Sequence, residues 1–142
     1  TTDPFMKIRY TLEDVMATEL VIFYPDTLVG TAIHTFLDKK ISGAPVVDQE
    51  GKLIGMLSEK DCLDTLFKSS YYNNPSGYVR DYMSIELVTV DLYDSLSDVA
   101  QKFIDLRFRR FPVLKNGSLV GQISRRDVLK AIDNLNKEKI KS

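Results

Sequence analysis

The chain has 142 residues, an apolar fraction of 44% and a formal net charge of −1. That is enough chain to bury a core in one domain-sized, soluble globular unit, too apolar for a disordered one, and too neutral for a general attraction to nucleic acid. The longest apolar runs are far too short to span a bilayer, no secretory signal is visible, and the one cysteine excludes an internal disulfide and suits a reducing, cytoplasmic setting.

Thr1-Thr-Asp-Pro-Phe5 precedes Met6, as either an added segment or the end of something longer. Lys7 to Tyr10 can pair as a short strand. Thr11-Leu-Glu-Asp14 has capping-box character and leads to Val15-Met16. Leu20 to Tyr24 is apolar and β-branched, a strand candidate ended by Pro25-Asp26. Thr27 is placed to cap a helix carrying Val29, Ile33, Phe36 and Leu37 along one side, with Gly43 at its exit. His34, mid-helix and without partners in metal-ligand spacing, reads as an ordinary helix residue. Ala44-Pro45-Val46-Val47 opens the next strand, where proline is tolerated at the start.

The stretch Gly51-Lys-Leu-Ile-Gly-Met-Leu-Ser-Glu-Lys-Asp61 follows. Gly51 supplies a turn. Leu53, Ile54, Met56 and Leu57 form a nearly continuous apolar run, which suits a strand buried on both faces. Ser58 then opens a helix bearing Leu63, Leu66 and Phe67, with Cys62 as a small core residue. Lys68 to Tyr78 is turn-rich and reads as a linker. Its tyrosines Tyr71, Tyr72 and Tyr78 suit surface packing, with stacking on a base as the alternative.

The second half repeats the order. A strand near Leu87 to Val90 precedes a helix from Asp94 or Ser95 to about Leu106. A strand from Phe111 and a final strand and helix complete it, and Lys137 to Lys141 is a basic, solvated tail. The second copy of the central stretch is Gly117-Ser-Leu-Val-Gly-Gln-Ile-Ser-Arg-Arg-Asp127, with Leu119, Val120 and Ile123 as its apolar run.

The shared Ser-x-x-Asp has two readings. It is a capping pair, the serine accepting from early backbone N–H groups and the carboxylate favoured at the positive helix end. It is also suited to a nucleotide, because a helix N-terminus with a hydroxyl binds phosphate and a carboxylate accepts from both hydroxyls of a ribose. For a single copy the cap is the stronger reading; two copies in matching context shift the balance and leave both readings open.

The repeat extends beyond the helix start. At an offset of 67 residues Met16 falls on Met83, Glu19-Leu20-Val21 on Glu86-Leu87-Val88, Phe36 on Phe103, and Pro45-Val46 on Pro112-Val113. After a one-residue shortening in the following turn, Gly51, Gly55, Ser58 and Asp61 fall on Gly117, Gly121, Ser124 and Asp127. The repeated unit is β-α-β-β-α, and one unit alone cannot bury both faces of so small a sheet.

Each half resembles a CBS motif, the repeat first named for cystathionine β-synthase. The matching residues are Val15-Met16, Ile41-Ser-Gly-Ala-Pro-Val-Val-Asp48 and Gly55-Met-Leu-Ser-Glu-Lys-Asp61 in the first half. In the second they are Tyr82-Met83, Phe108-Arg-Arg-Phe-Pro-Val-Leu114 and Gly121-Gln-Ile-Ser-Arg-Arg-Asp127. The resemblance implies an α+β fold, two β-α-β-β-α motifs packed by pseudo-two-fold symmetry into one module. Its parts are a first motif at 8–68, a linker at 69–79, a second motif at 80–134 and a polar tail at 135–142. It also implies a sensor rather than a catalyst, binding AMP, ADP or ATP as a regulatory ligand in the cleft between motifs, with no catalytic cofactor, and often dimerising into a disc. A ligand-free dimerisation or docking module for an effector protein is the rival. An enzyme is the weakest reading, since no Ser-His-Asp or Cys-His set, metal cluster or Walker loop is present.

On that resemblance Asp127 and Asp61 would hold ribose. Ser124, Ser58, Arg110, Arg109, Arg126 and Lys60 would serve phosphate. Leu20, Val21, Ala44 and Pro45, and Leu87, Val88, Phe111 and Pro112, would wall two base slots, their simpler reading being core. The sites are not equal. The second carries Arg109, Arg110, Arg125 and Arg126 where the first has Ser42, Gly43, Glu59 and Lys60, and a guanidinium fork suits phosphate oxygens.

Overall fold

The computed structural model describes residues 12–70 and 73–141, with side chains to Lys137. In chain order the elements are α1 (Leu12–Val15), α2 (Val29–Lys39), β1 (Gly43–Val47), β2 (Leu53–Ser58), α3 (Glu59–Lys68), a 3-10 turn (Val79–Asp81), β3 (Val90–Asp91), α4 (Leu96–Asp105), β4 (Arg110–Lys115), β5 (Ser118–Ser124) and α5 (Arg125–Lys141). The fold is mixed α+β. The chain forms two compact units: Val21–Leu87 is one, and the segment ending at Leu20 together with Val88 onward is the other.

In the Val21–Leu87 unit, β1 and β2 form an antiparallel hairpin with Gly43 opposite Ser58 and Val46 opposite Gly55. Phe23, Val29, Phe36, Ala44, Val46, Leu57, Cys62, Leu66, Val79 and Tyr82 build its core. Phe23 meets Phe36 edge-on at 5.5 Å. The strand expected over Leu20 to Tyr24 reduces to one rung, Phe23 beside Val46. Thr27 is the reason: its Oγ1 accepts from the Tyr24 N–H at 3.1 Å and turns the chain away from the sheet. Thr27 therefore does not cap α2; Leu28 holds that position without a side-chain bond. Gly43 is not the exit of α2 either. Lys40 takes the left-handed conformation (φ 55), and the N–H groups of Lys40 and Ile41 both donate to the Phe36 carbonyl. Along α2, Val29 and Phe36 point inward and Leu37 lies exposed.

The other unit has a three-stranded sheet, β3 parallel to β4 and β4 antiparallel to β5. Leu12, Val90, Leu92, Leu96, Val99, Phe111, Val113, Ile123, Val128 and Ala131 form its core. The strand expected near Leu87 to Val90 is shifted to Val90–Asp91, cut short by a turn in which Asp94 Oδ2 accepts from the Asp91 N–H. Ser95 caps α4 by accepting from the Asp98 N–H at 3.0 Å. α5 runs through the segment read as a tail, and Leu135 within it is buried. The expected strand at Lys7 to Tyr10, the Thr11 cap, Tyr71 and Tyr72 lie outside the described residues.

β2 and β5 were expected to be buried on both faces. Instead they alternate, with Gly55, Leu57, Gly121 and Ile123 fully buried and their neighbours only partly covered. An antiparallel hairpin packs one face hard against its helices and leaves the other open. The one-residue shortening between repeats lies in the hairpin turns. Asn116 and Gly117 both adopt positive φ between the paired Lys115 and Ser118, a two-residue turn. In the longer loop Asp48 Oδ1 accepts from both Glu50 and Lys52 N–H groups at 2.9 Å.

Candidate functional site

The two Ser-x-x-Asp sequences sit where a strand hands over to a helix, β2 to α3 and β5 to α5. Ser58 is extended (φ −125, ψ 163) and ends β2. Its Oγ accepts from the Asp61 N–H at 3.0 Å, and Asp61 Oδ2 accepts from the Ser58 N–H at 3.0 Å. In the second copy Ser124 Oγ accepts from the Asp127 N–H at 3.1 Å, and Asp127 Oδ2 accepts from the Ser124 N–H at 2.9 Å. Both pairs are therefore capping boxes. The capping reading does not exhaust them. Each carboxylate spends one oxygen on the cap, and among the described residues its Oδ1 receives no donor. Each serine hydroxyl accepts through its oxygen, which leaves its hydrogen to donate.

The residues ahead of each hairpin are drawn to the same mouth. The Glu59 N–H donates to the Ser42 carbonyl at 2.9 Å, and Gly43 pairs with Ser58. In the second copy the Arg125 N–H donates to the Arg109 carbonyl at 3.2 Å, and Arg110 pairs with Ser124. Arg109, Arg110, Arg125 and Arg126, far apart in sequence, thus belong to one strand–helix junction, and all four are exposed, as is Lys60 in the first copy. Among the described residues no carboxylate forms an ion pair with these arginines.

The residues expected to wall a base are core or near it. Ala44, Pro45 and Phe111 are almost fully buried, and Pro112 is buried. Val21 packs on the cluster containing Ala44, and Val88 on the cluster containing Phe111. Leu20 and Leu87 are partly buried and lie outside both clusters. Tyr78 stacks under the Arg80 guanidinium at 4.3 Å on the surface. One cavity, about 180 Å³, lies against α2 and α3 and is lined by Ile33, Leu37, Glu59, Cys62 and Leu63 among others; another, about 380 Å³, is ringed by Asp94, Asp98, Lys102 and Asp105. Among the described residues no histidine, cysteine and carboxylate group is arranged to hold a metal ion, and no helix is long and apolar enough to cross a membrane.

A further close approach links segments of the two repeats. Gly55 and Gly121 sit mid-strand, and a Cβ on either would meet the methionine of the other repeat. Such a Cβ would stand 2.6 Å from Met83 Sδ on Gly55 and 2.7 Å from Met16 Sδ on Gly121. Paired backbone bonds hold the crossings, Met56 with Ser84 and Ala17 with Gln122. The repeated Met and Gly were legible in the sequence; their pairing was not.

Two copies of one strand–helix junction, each with a capped helix start bearing a spare carboxylate oxygen and a hydroxyl, define a tandem-repeat module with two corresponding mouths. The model of the CBS domain matches residues 12–68 and 79–134, and the chain belongs to that family. It is 30% identical over 125 residues to the uncharacterized protein MJ1225 of Methanocaldococcus jannaschii, covering 88% of this chain and 44% of that protein. It is 33% identical over 120 residues to an inosine-5'-monophosphate dehydrogenase of Aquifex aeolicus, covering 83% of this chain and 24% of that enzyme. The chain thus spans less than half of either relative. Among solved structures, CBSX2, a CBS-pair protein of Arabidopsis thaliana crystallised in complex with AMP, is similar at a TM-score of 0.75 and 28% identity, over 89% of this chain and 98% of that one.

Proposed function

We propose that this chain is a regulatory sensor that binds adenosine nucleotides and has no catalytic step of its own. The observation that carries the reading is the spare Oδ1 of Asp61 and Asp127 beside a donor hydroxyl at a helix start. The open lone pairs of that carboxylate oxygen suit the hydroxyls of a ribose, and the helix start with Ser58 or Ser124 suits a phosphate. The AMP complex of CBSX2 supports the ligand class. Ala44 and Pro45, and Phe111 and Pro112, are the residues against which an adenine would lie, with Val21 and Val88 packed on the same clusters. The domain limits of the reading are motifs at 8–68 and 80–134 joined by 69–79. A cytoplasmic setting suits its single buried cysteine.

Thermal shift with AMP, ADP, ATP and GTP on ligand-free protein tests the proposal. A ligand that binds only the native state stabilises it by about 2.7 kcal/mol at a hundredfold excess over its Kd, so at least one adenine nucleotide raises Tm. Native mass spectrometry of the purified protein reads any nucleotide already bound. No response to any adenine nucleotide would favour the second reading, a ligand-free dimerisation or effector-docking module. The exposed Leu37, Leu63, Ile104 and Leu129 favour that reading.

A further inference from the structure

The two mouths share a backbone and differ in charge. The β5–α5 junction carries four guanidinium groups, Arg109, Arg110, Arg125 and Arg126, and one carboxylate, Asp127, for a local charge of +3 (4 − 1). At the β2–α3 junction Lys60 stands with Glu59 and Asp61, for a local charge of −1 (1 − 2). The positions correspond by observed contacts: Arg125 bonds the Arg109 carbonyl as Glu59 bonds the Ser42 carbonyl, and Arg110 faces Ser124 as Gly43 faces Ser58. The four arginines are exposed and, among the described residues, have no carboxylate partner. Of the seven arginines in the chain, this junction holds four.

We infer that the arginine-rich mouth takes a nucleotide carrying a polyphosphate chain, while the acidic mouth discriminates against it. The inference rests on the sensor reading above. Both mouths offer a single phosphate the serine hydroxyl and one uncommitted helix N–H, Lys60 or Arg126, since the N–H groups on either side are already bonded; the guanidinium groups are what the second mouth adds. A triphosphate offers several anionic oxygens within reach of planar forks, each bond charge-assisted. At the other mouth Glu59 stands at the position of Arg125, and its carboxylate repels the same chain.

Isothermal titration of the whole chain with ATP, AMP, adenosine and inorganic tripolyphosphate tests this. The expected result is ATP binding at least about tenfold tighter than AMP, with that ratio shrinking as salt is raised. The charge swap Arg109→Ser, Arg125→Glu and Arg126→Lys lowers the ratio by about tenfold or more and leaves adenosine unchanged. The milder pair Arg125→Gln and Arg126→Gln moves it in the same direction if the triple variant does not fold. Asp127→Asn weakens ATP. Equal affinity for ATP and AMP, or a ratio that survives both arginine variants, overturns the inference while leaving the sensor reading intact. Tripolyphosphate binding that the arginine variants abolish, with no heat from adenosine or AMP, overturns the adenosine reading and supports a polyphosphate mouth. No heat from any of the four ligands overturns both.

Discussion

A methyl group on Gly121 would stand 2.7 Å from Met16 Sδ and 2.8 Å from the Ala17 carbonyl oxygen. The thioether can swing aside, but the carbonyl is held by its bond from the Gln122 N–H. Gly55 is easier to fill, because its tightest contact is the flexible Met83 Sδ and the Ser84 carbonyl lies at 3.1 Å. Gly121→Ala is therefore expected to destabilise by about 1–3 kcal/mol, and Gly55→Ala by less, in urea unfolding. Cys62 is the second residue with a definite expectation. A helix start lowers a thiol pKa, but here burial, then the charges of Asp61 and Glu59, win and push it up from 9.0 to about 11. Folding therefore favours the protonated thiol. Its contribution is complete below pH 9 and is lost as pH rises from 9 towards 11. Iodoacetamide should label Cys62 slowly at pH 8 in folded protein and rapidly in urea. Equal rates would contradict both its burial and its shift.

The elements show local rules yielding to one another. α2 ends on Lys40 at φ 55, a conformation that costs a non-glycine residue about 1–2 kcal/mol. Glycine gives back part of that gain through its looser unfolded chain. Lys40→Gly should thus raise stability by about 0.5–1 kcal/mol in chemical denaturation. The two capping boxes are the elements most open to sequence reading, since serine, the following carboxylate and the helix they start lie within four residues. The hairpin turns were legible for a similar reason. Asn116-Gly117 accepts positive φ at both positions, and Asp48 folds its side chain over its own loop. The first strands of each repeat were over-read. Their apolar runs were visible, but Thr27 and Asp94 end the pairing with single side-chain bonds that composition does not announce.

At the scale of the whole molecule, the exposed apolar residues are the outstanding feature. Leu37 and Leu63 stay 68% and 57% exposed on α2 and α3, and Ile104 and Leu129 stay 75% and 65% exposed on α4 and α5. A homodimer that covers these helix faces is the expected state, as part of the sensor proposal. Sedimentation at micromolar concentration should read a dimer, and Leu63→Glu with Leu129→Glu a monomer. Monomer in the parent protein, with and without nucleotide, would contradict it.

The amino-acid sequence by itself determined the repeat, the helix starts at Ser58 and Ser124, the one-residue difference in the turns and the excess of arginine in the second copy, because each is set by residues close together in the chain. It left open which methionine meets which glycine. Met16 aligns with Met83 and Gly55 with Gly121, so pairing within a repeat and pairing across repeats satisfy the same pattern equally. Tertiary structure decided for the exchange, laying Met16 on Gly121 and Met83 on Gly55. It also gathered Arg109 and Arg110 with Arg125 and Arg126, through a strand register that no local propensity specifies. The physical reason is the same in both cases. Local chemistry sets backbone conformation over a few residues, whereas the partner of a strand or a side chain is chosen by burial and hydrogen bonding between segments brought together only when the chain folds.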